Sequence, residues 1–139
     1  MVDTVAQAGA YLHHLAFESS QPDRLAAFYG DIMQMEVARI SDREWRCEGP
    51  ARRMVVVPGQ DKKLAYAGLA VRDADGLKLI RDRAESEGVA IHASPSPYFR
   101  EGAFAVKDPD GNLIVFGLSK PEYVKAMGWP RANHAMPIW

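Results

Sequence analysis

The side chains of this chain best suited to chemistry are a histidine and a tyrosine that occupy matching places in two similar stretches. His14 lies in the alternating stretch Tyr11 to Ser19, and Tyr66 lies in a second stretch, Leu64 to Val71. An imidazole changes charge near neutral pH, so His14 can serve as a general acid or base. The Tyr66 hydroxyl can donate a hydrogen bond to a ligand oxygen. The competing interpretation is that His14 is a satisfied core histidine and that Tyr66 fills space.

Glu18 is the nearest acidic candidate, because strand alternation places it on the same face as His14. It lies four residues further along, roughly 13 Å away at the rise of a β-strand, so the two side chains cannot bind one metal ion within a flat strand. Glu18 is therefore a candidate ligand-binding residue near the rim of the barrel, and the alternative is that it is a buried acid paired to a basic group.

Two pairs of residues that include aromatic side chains are further ligand-binding candidates. Trp45 and Cys47 alternate onto one face of a short strand, where stacking on a flat ligand competes with ordinary core packing. Tyr98 and Phe99 follow the loop Ser94-Pro95-Ser96-Pro97. A proline-stiffened loop that ends in aromatic residues suits the mouth of a cavity.

The elements that carry these residues form a repeat. A strand at 11–19 is followed by a helix predicted from Pro22 to Met33 and by three short strands, and the same βαβββ order recurs 52 residues later. The three short strands of the first module are predicted at 35–40, 43–48 and 52–58. Those of the second are predicted from residue 89, at 102–106 and at 112–118, the last two joined by the turn Asp108-Pro109-Asp110-Gly111. We predict modules at 11–58 and 64–119, with a leader at 1–10 and a tail at 120–139.

Composition limits the kind of protein. The chain has 139 residues, 47% of them hydrophobic, and a formal net charge of -1, as expected for one globular domain. Its basic residues are scattered among acids, which argues against nucleic acid or an anionic membrane as partner. The single cysteine, Cys47, cannot form an internal disulfide. Together with the lack of an apolar run near the roughly 20 residues of a membrane span, this predicts a cytoplasmic protein.

Two consecutive βαβββ modules, the segment His14-Leu15-Ala16-Phe17 and the hairpin Lys107-Asp108-Pro109-Asp110-Gly111-Asn112-Leu113-Ile114 resemble the vicinal oxygen chelate superfamily. That group holds glyoxalases, bleomycin-resistance proteins and extradiol dioxygenases. The resemblance implies an α+β fold in which two tandem βαβββ modules form an open eight-stranded barrel-like sheet with helices outside. It also implies a homodimer.

The resemblance further implies where metal ligands would lie. The histidine of the first strand falls on His14, whereas the matching position in the second module is Tyr66 and the usual glutamate is Val115. Valine cannot donate to a metal, and one imidazole cannot hold a divalent ion against water. We therefore expect no resident metal, with Fe(II) or another divalent ion as the less favoured alternative. The direction of His92 stays open, and Val115 is predicted to contact a ligand.

Three functions remain. The first is a metal-free protein that binds a small aromatic or apolar molecule, or an enzyme in which His14 and Tyr66 perform metal-independent acid/base chemistry. The second is a relative of the metal-free half of a two-barrel extradiol dioxygenase, standing alone or needing a catalytic partner. The third is a domain that only dimerises, with a cavity filled by its own side chains.

Overall fold

The computed structural model describes residues 7–50 and 52–120. These residues form two compact units, which we name the first unit (14–65) and the second unit (7–13 with 66–120). The predictions for most of the leader and for the tail after Lys120 lie outside the described residues.

The described elements repeat the order βαβββ, which confirms the predicted α+β class and the tandem modules. They are β1 (Tyr11–Ser19), α1 (Pro22–Asp31), β2 (Glu36–Ser41), β3 (Glu44–Gly49), β4 (Arg52–Pro58), β5 (Lys63–Ala70), α2 (Ala74–Ser86), β6 (His92–Ala93), β7 (Phe104–Lys107) and β8 (Leu113–Gly117). The helices begin at Pro22 and Ala74, which reproduces the 52-residue offset. Neither helix has the length and apolar character needed to cross a bilayer.

The first unit is built on the strand order β2-β3-β4-β1, with β1 parallel to β4 and the other pairs antiparallel. Directly paired residues share a face of the sheet. Cys47 pairs with Met54, and Met54 pairs with Leu15, so these three side chains point the same way. They point towards α1, because Cys47 and Met54 belong to one core cluster with Ala26 of that helix. The residues between them must point away from α1.

The second unit uses the order β5-β8-β7-β6, with β5 parallel to β8. Phe104 and Phe116 are a cross-strand pair, and both pack with Leu77 and Ile80 of α2. Asp73 caps that helix by accepting a hydrogen bond from the Gly76 backbone N–H at 2.8 Å. As in the first unit, the alternate residues of each strand lie on the face away from the helix.

The turn of the β7–β8 hairpin is held by Asp108. Its Oδ1 accepts the backbone N–H groups of Asp110 and Asn112, each at 2.9 Å, and its Oδ2 accepts the Asn112 amide at 3.0 Å. Gly111 has φ +88°, a conformation that a residue with a Cβ rarely adopts. The hairpin therefore lies where the sequence predicted it, with Asp108 holding the turn.

One predicted strand is shorter than expected. The strand predicted from Val89 to His92 begins only at His92 and has two residues. The preceding residues end α2 instead, since Gly88 adopts φ +76° and the Val89 N–H donates to the Ala84 carbonyl at 2.9 Å. This is a helix C-terminal motif that uses the residues the alternation had assigned to a strand.

Candidate ligand-binding faces

A row of polar residues crosses the first unit on the face away from α1. Glu36 pairs with Glu48, and Glu48 pairs with Arg53 on the next strand. His14 continues the row, because the parallel register that places Leu15 beside Met54 places His14 beside Arg53. Adjacent strands lie about 4.8 Å apart, so four ionisable side chains follow one another across the sheet. We name these four residues the polar row.

The neighbouring row adds one arginine to otherwise small side chains. Arg46 pairs with Val55, which lies beside Ala16. The guanidinium Nε of Arg46 lies 3.6 Å from Oε1 of Glu48, and these two side chains are only 23% and 13% exposed. The candidates predicted from the sequence did not include Arg46, Glu48 or Arg53. The alternation of Trp45 and Cys47 could have indicated the direction of Arg46, because a strand residue between two core residues must face the other way.

His14 is 2% exposed, so its imidazole is almost completely removed from bulk water. The sequence prediction placed acid/base chemistry on this group, and the structure positions it at the end of the polar row. A histidine in such a row can exchange a proton with a ligand that reaches Arg53.

Glu18 lies on the same face of β1 but is engaged by the connection between β4 and β5. Its Oε1 accepts the backbone N–H of Gln60 at 2.9 Å, and its Oε2 lies 3.9 Å from Nζ of Lys63. The side chain is 21% exposed. These contacts give Glu18 a structural role in shaping the connection, in addition to its predicted place near a rim.

Trp45 and Cys47, predicted as ligand contacts or core residues, have core contacts. Cys47 is fully buried with Ala26 of α1, and Trp45 packs against the same cluster. Burial, and secondarily the charge of Glu48, raises the pKa of the Cys47 thiol to about 11. The thiol is therefore protonated at neutral pH and is not a nucleophile there.

In the second unit, Val115 is fully buried on the face away from α2. It pairs with Gly68 on β5 and with Ala105 on β7, and Ala105 pairs with His92. This settles the direction of His92, which lies on the same face as Val115, two strands away. Tyr66 is 3% exposed and shares this face by alternation with Gly68.

Tyr98 and Phe99 are 0% and 5% exposed, so neither stands in solvent at the mouth of a cavity as the sequence had suggested. Each ring centroid lies 5.5 Å from that of His13. The Phe99 ring also covers Gly117, where an added Cβ would lie only 2.6 Å from Cδ2 of the ring. The two aromatic residues thus form a buried cluster with His13 whose Nε2 lies 3.2 Å from Oγ of Ser119.

A separate cavity of about 300 Å³ lies between α2 and the β7–β8 hairpin. Its apolar lining includes Ile80 of α2 together with Val106, Ile114 and Phe116 from the face of the sheet that packs against α2. None of the predicted site residues lines this cavity.

The sequence profile of the Glyoxalase/Bleomycin resistance protein/Dioxygenase superfamily matches residues 11–116, which is most of the chain. This chain belongs to that superfamily. The curated proteins compared with it include no significant sequence relative.

Solved structures of superfamily enzymes share its fold. The E323L mutant of homoprotocatechuate 2,3-dioxygenase from Brevibacterium fuscum is similar with a TM-score of 0.68 and 14% identity, over 78% of this chain and 32% of that chain. An extradiol ring-cleaving dioxygenase from B. fuscum gives the same values. A catechol 2,3-dioxygenase gives a TM-score of 0.66 and 20% identity, over 78% of this chain and 38% of that chain. The superfamily member described here therefore spans about a third of the length of each enzyme.

The metal that superfamily membership suggests does not fit the donors on the second unit's face. In the row that contains Val115, the neighbouring residues Gly68 and Ala105 offer no side-chain donor, and His92 lies roughly 10 Å from Val115 at the spacing of strands. Among residues 7–50 and 52–120, no three His, Cys, Asp or Glu side chains are grouped for a metal ion.

Proposed function

We propose that this superfamily member binds a small, largely apolar or aromatic molecule without a resident metal, as a binding protein or as a metal-independent enzyme. The proposal rests on the position of Val115. It is completely buried, between Gly68 and Ala105, at the position where the resemblance places a metal-binding glutamate. Val115 and its two small neighbours offer no side-chain donor to an ion, which favours an apolar ligand over a metal ion.

If the protein is an enzyme, its chemistry is acid/base catalysis. His14 is the group that exchanges a proton with the ligand, and its buried position beside Arg53 excludes bulk water from the transfer. Tyr66 supplies a hydroxyl on the face of the second unit that can donate to a ligand oxygen. We also propose a homodimer, which is usual in the superfamily.

A second candidate function is that of a dioxygenase relative. Ring-cleaving dioxygenases are among the solved structures that share the fold, and those compared above are about three times as long as the matched region. On this proposal the chain either stands alone as a ring-cleaving enzyme or corresponds to a metal-free part of such an enzyme and acts with a catalytic partner.

One set of measurements separates these functions. The protein is purified anaerobically and analysed for iron and other metals, and its melting temperature and tryptophan fluorescence are followed during titration with aromatic ligands. A metal-free protein that responds to ligands supports the first proposal. Bound iron together with oxygen uptake on addition of catechols would overturn it in favour of ring cleavage. The absence of any response to ligands would leave only dimerisation.

A further inference from the structure

We propose that the cavity between α2 and the β7–β8 hairpin binds a neutral aromatic molecule of one or two rings. The described residues that line it all belong to the second unit. The cavity lies on the α2 side of the sheet, whereas Val115 alternates with Phe116 and faces the other side. This second site is therefore independent of the function proposed above, which concerns the face that carries Val115.

The walls of the cavity are apolar side chains from both elements. Phe116 is buried, and its ring packs against that of Phe104 with the centroids 5.6 Å apart. Ile80 of α2 is buried as well, whereas Val106 and Ile114 are only partly buried and remain open to a ligand. An aromatic ring among branched aliphatic side chains favours contact with a flat apolar molecule.

The end of α2 holds a further apolar side chain at the mouth of the cavity. Gly88 adopts φ +76°, and the Val89 N–H donates to the Ala84 carbonyl at 2.9 Å. This motif fixes the backbone of Val89, whose side chain lines the cavity and is 38% exposed. A bound apolar molecule would remove part of that exposed surface from water, which is favourable.

The charged residues of the described lining have partners already or point elsewhere. Nη2 of Arg83 lies 3.2 Å from Oε1 of Glu87. Both carboxylate oxygens of Asp108 accept hydrogen bonds within the hairpin turn. Lys107 also lines the cavity, but strand alternation directs its side chain to the face opposite Val106. An anionic ligand would therefore lose hydration without gaining a cationic partner, a cost that a neutral ring does not carry.

The volume of the cavity sets the size of the ligand. An apolar cavity of roughly 150 Å³ inside a protein binds one benzene molecule. The cavity here has about 300 Å³, so it has room for a molecule of two rings such as indole. Water is a poor occupant of an apolar cavity, because each water molecule needs several polar partners.

The test follows indole binding by calorimetric titration and by the melting temperature, which a ligand of the folded state raises. Indole should bind at least about tenfold more tightly than indole-3-carboxylate, whose charge has no partner in the cavity. Ala84→Leu extends a side chain into the cavity from α2 and should weaken indole binding at least about tenfold. Val89→Asp places a charge at the partly exposed mouth and should also weaken binding, without changing a buried residue.

The matched control is Glu85→Leu, which adds the same side chain at the next position of α2, where the residue is exposed and does not line the cavity. It should keep the affinity for indole. Thermal denaturation of each variant shows that lost binding does not come from unfolding, and Val89→Asp decides the question if Ala84→Leu does not fold.

Three results would overturn the inference. Indole binding that both Ala84→Leu and Val89→Asp leave unchanged would place the ligand elsewhere and leave the function of the Val115 face standing. Equal affinity for indole and indole-3-carboxylate would overturn the neutral class of ligand. A protein that binds no indole but forms a dimer that Ala84→Leu dissociates, measured by analytical ultracentrifugation, would assign the cavity to a second copy of the chain. Failure to bind indole without such a dimer would equally exclude a ligand site here.

Discussion

Glu18 and Gln60 are joined by a hydrogen bond in which the Gln60 backbone N–H donates to Oε1 of Glu18 at 2.9 Å. Glu18 shares a strand face with His14, and this alternation made it a candidate ligand contact. Its carboxylate instead fixes the connection that follows β4, where Gly59 leaves room for it. A Cβ added to Gly59 would lie 2.8 Å from Cδ of Glu18. The acid and the glycine therefore act as one structural pair.

Gly59→Ala should destabilise the protein by displacing the Glu18 carboxylate, at a cost of about 1 kcal/mol for the lost hydrogen bond. Glu18→Ala removes the same bond and should cost a similar amount. Because both substitutions remove one interaction, the double variant should be little less stable than either single variant. Urea denaturation of the four proteins measures this coupling. Gly49→Ala is the control, since its nearest neighbour is the end of the Arg52 side chain at 3.4 Å. Simple additivity of Gly59→Ala and Glu18→Ala would contradict the pairing.

The Asp108 turn should give the protein a specific sensitivity to acid. Hydrogen bonds from the Asn112 side chain and backbone, followed by those from Asp110 and Gly111, lower the pKa of Asp108 below its usual value. A group whose folded pKa is lowered adds stability above its unfolded pKa, about 3.9, and loses it as the pH falls through the folded pKa. The stabilising effect of this carboxylate is therefore complete at neutral pH and disappears below about pH 4.

Asp108→Asn should lower the melting temperature at pH 7 and make the fall in stability below pH 4 shallower. Thermal denaturation between pH 2.5 and 7 measures both effects. The matched control is Asp110→Asn, because within the described chain the Asp110 side chain makes no hydrogen bond or ion pair. A pH profile for Asp108→Asn that runs parallel to that of the unmodified protein would show that this turn does not contribute to acid sensitivity.

Cys47 should be chemically inert in the folded protein. Its thiol is fully buried and its pKa is about 11, so little thiolate exists at pH 8 and reagents cannot reach it. Reaction with a thiol reagent should proceed only as fast as the protein unfolds, and it should accelerate across the urea transition. The chain has a single cysteine, so the signal has one source. Rapid labelling of the native protein at pH 8 would contradict the core position of Cys47.

The sequence predicted the repeat well because its signals are local. Alternation in β1, the proline at the start of α1 and the turn around Asp108 each depend on residues close together in the chain, and each lies where it was expected. The prediction of the strand after α2 was less accurate. Val89 is a residue type favoured in strands, but here its backbone N–H donates to the Ala84 carbonyl and completes the end of the helix. Local pattern alone cannot decide between these uses of an apolar residue.

The candidate site was harder to predict because it depends on register between strands. In the sequence alone, Arg53 is indistinguishable from a residue of a polar turn, and its pairing with Glu48 shows that it lies in the sheet. Only the pairing of Leu15 with Met54 places His14 beside Arg53. Pairing also gave the direction of His92 through Ala105. Register is set by the tertiary fold, and a shift of one residue would move every side chain to the opposite face.

Tyr66 and Val115 occupy positions where a metal-binding relative would carry ligands, and restoring ligands at both positions tests this placement. Val115 pairs with Gly68, and Tyr66 precedes Gly68 by two residues on the same face, so the two positions are diagonal neighbours about 7 to 8 Å apart between Cα atoms. A histidine and a glutamate at these positions can reach one ion. Tyr66→His with Val115→Glu should therefore gain affinity for Mn²⁺ or Co²⁺, measured by calorimetric titration. It should also melt at a higher temperature when the ion is present.

The single variants separate ion binding from other effects. Val115→Glu alone places a carboxylate at a fully buried position and should be destabilised by several kcal/mol. Neither single variant should approach the ion affinity of the double variant. Adding His92→Ala to the double variant should leave ion binding unchanged, since His92 lies two strands from Val115. If the double variant binds no ion, then Tyr66 and Val115 do not converge on the face of the second unit. Val115 would then not occupy the position of a metal-binding glutamate.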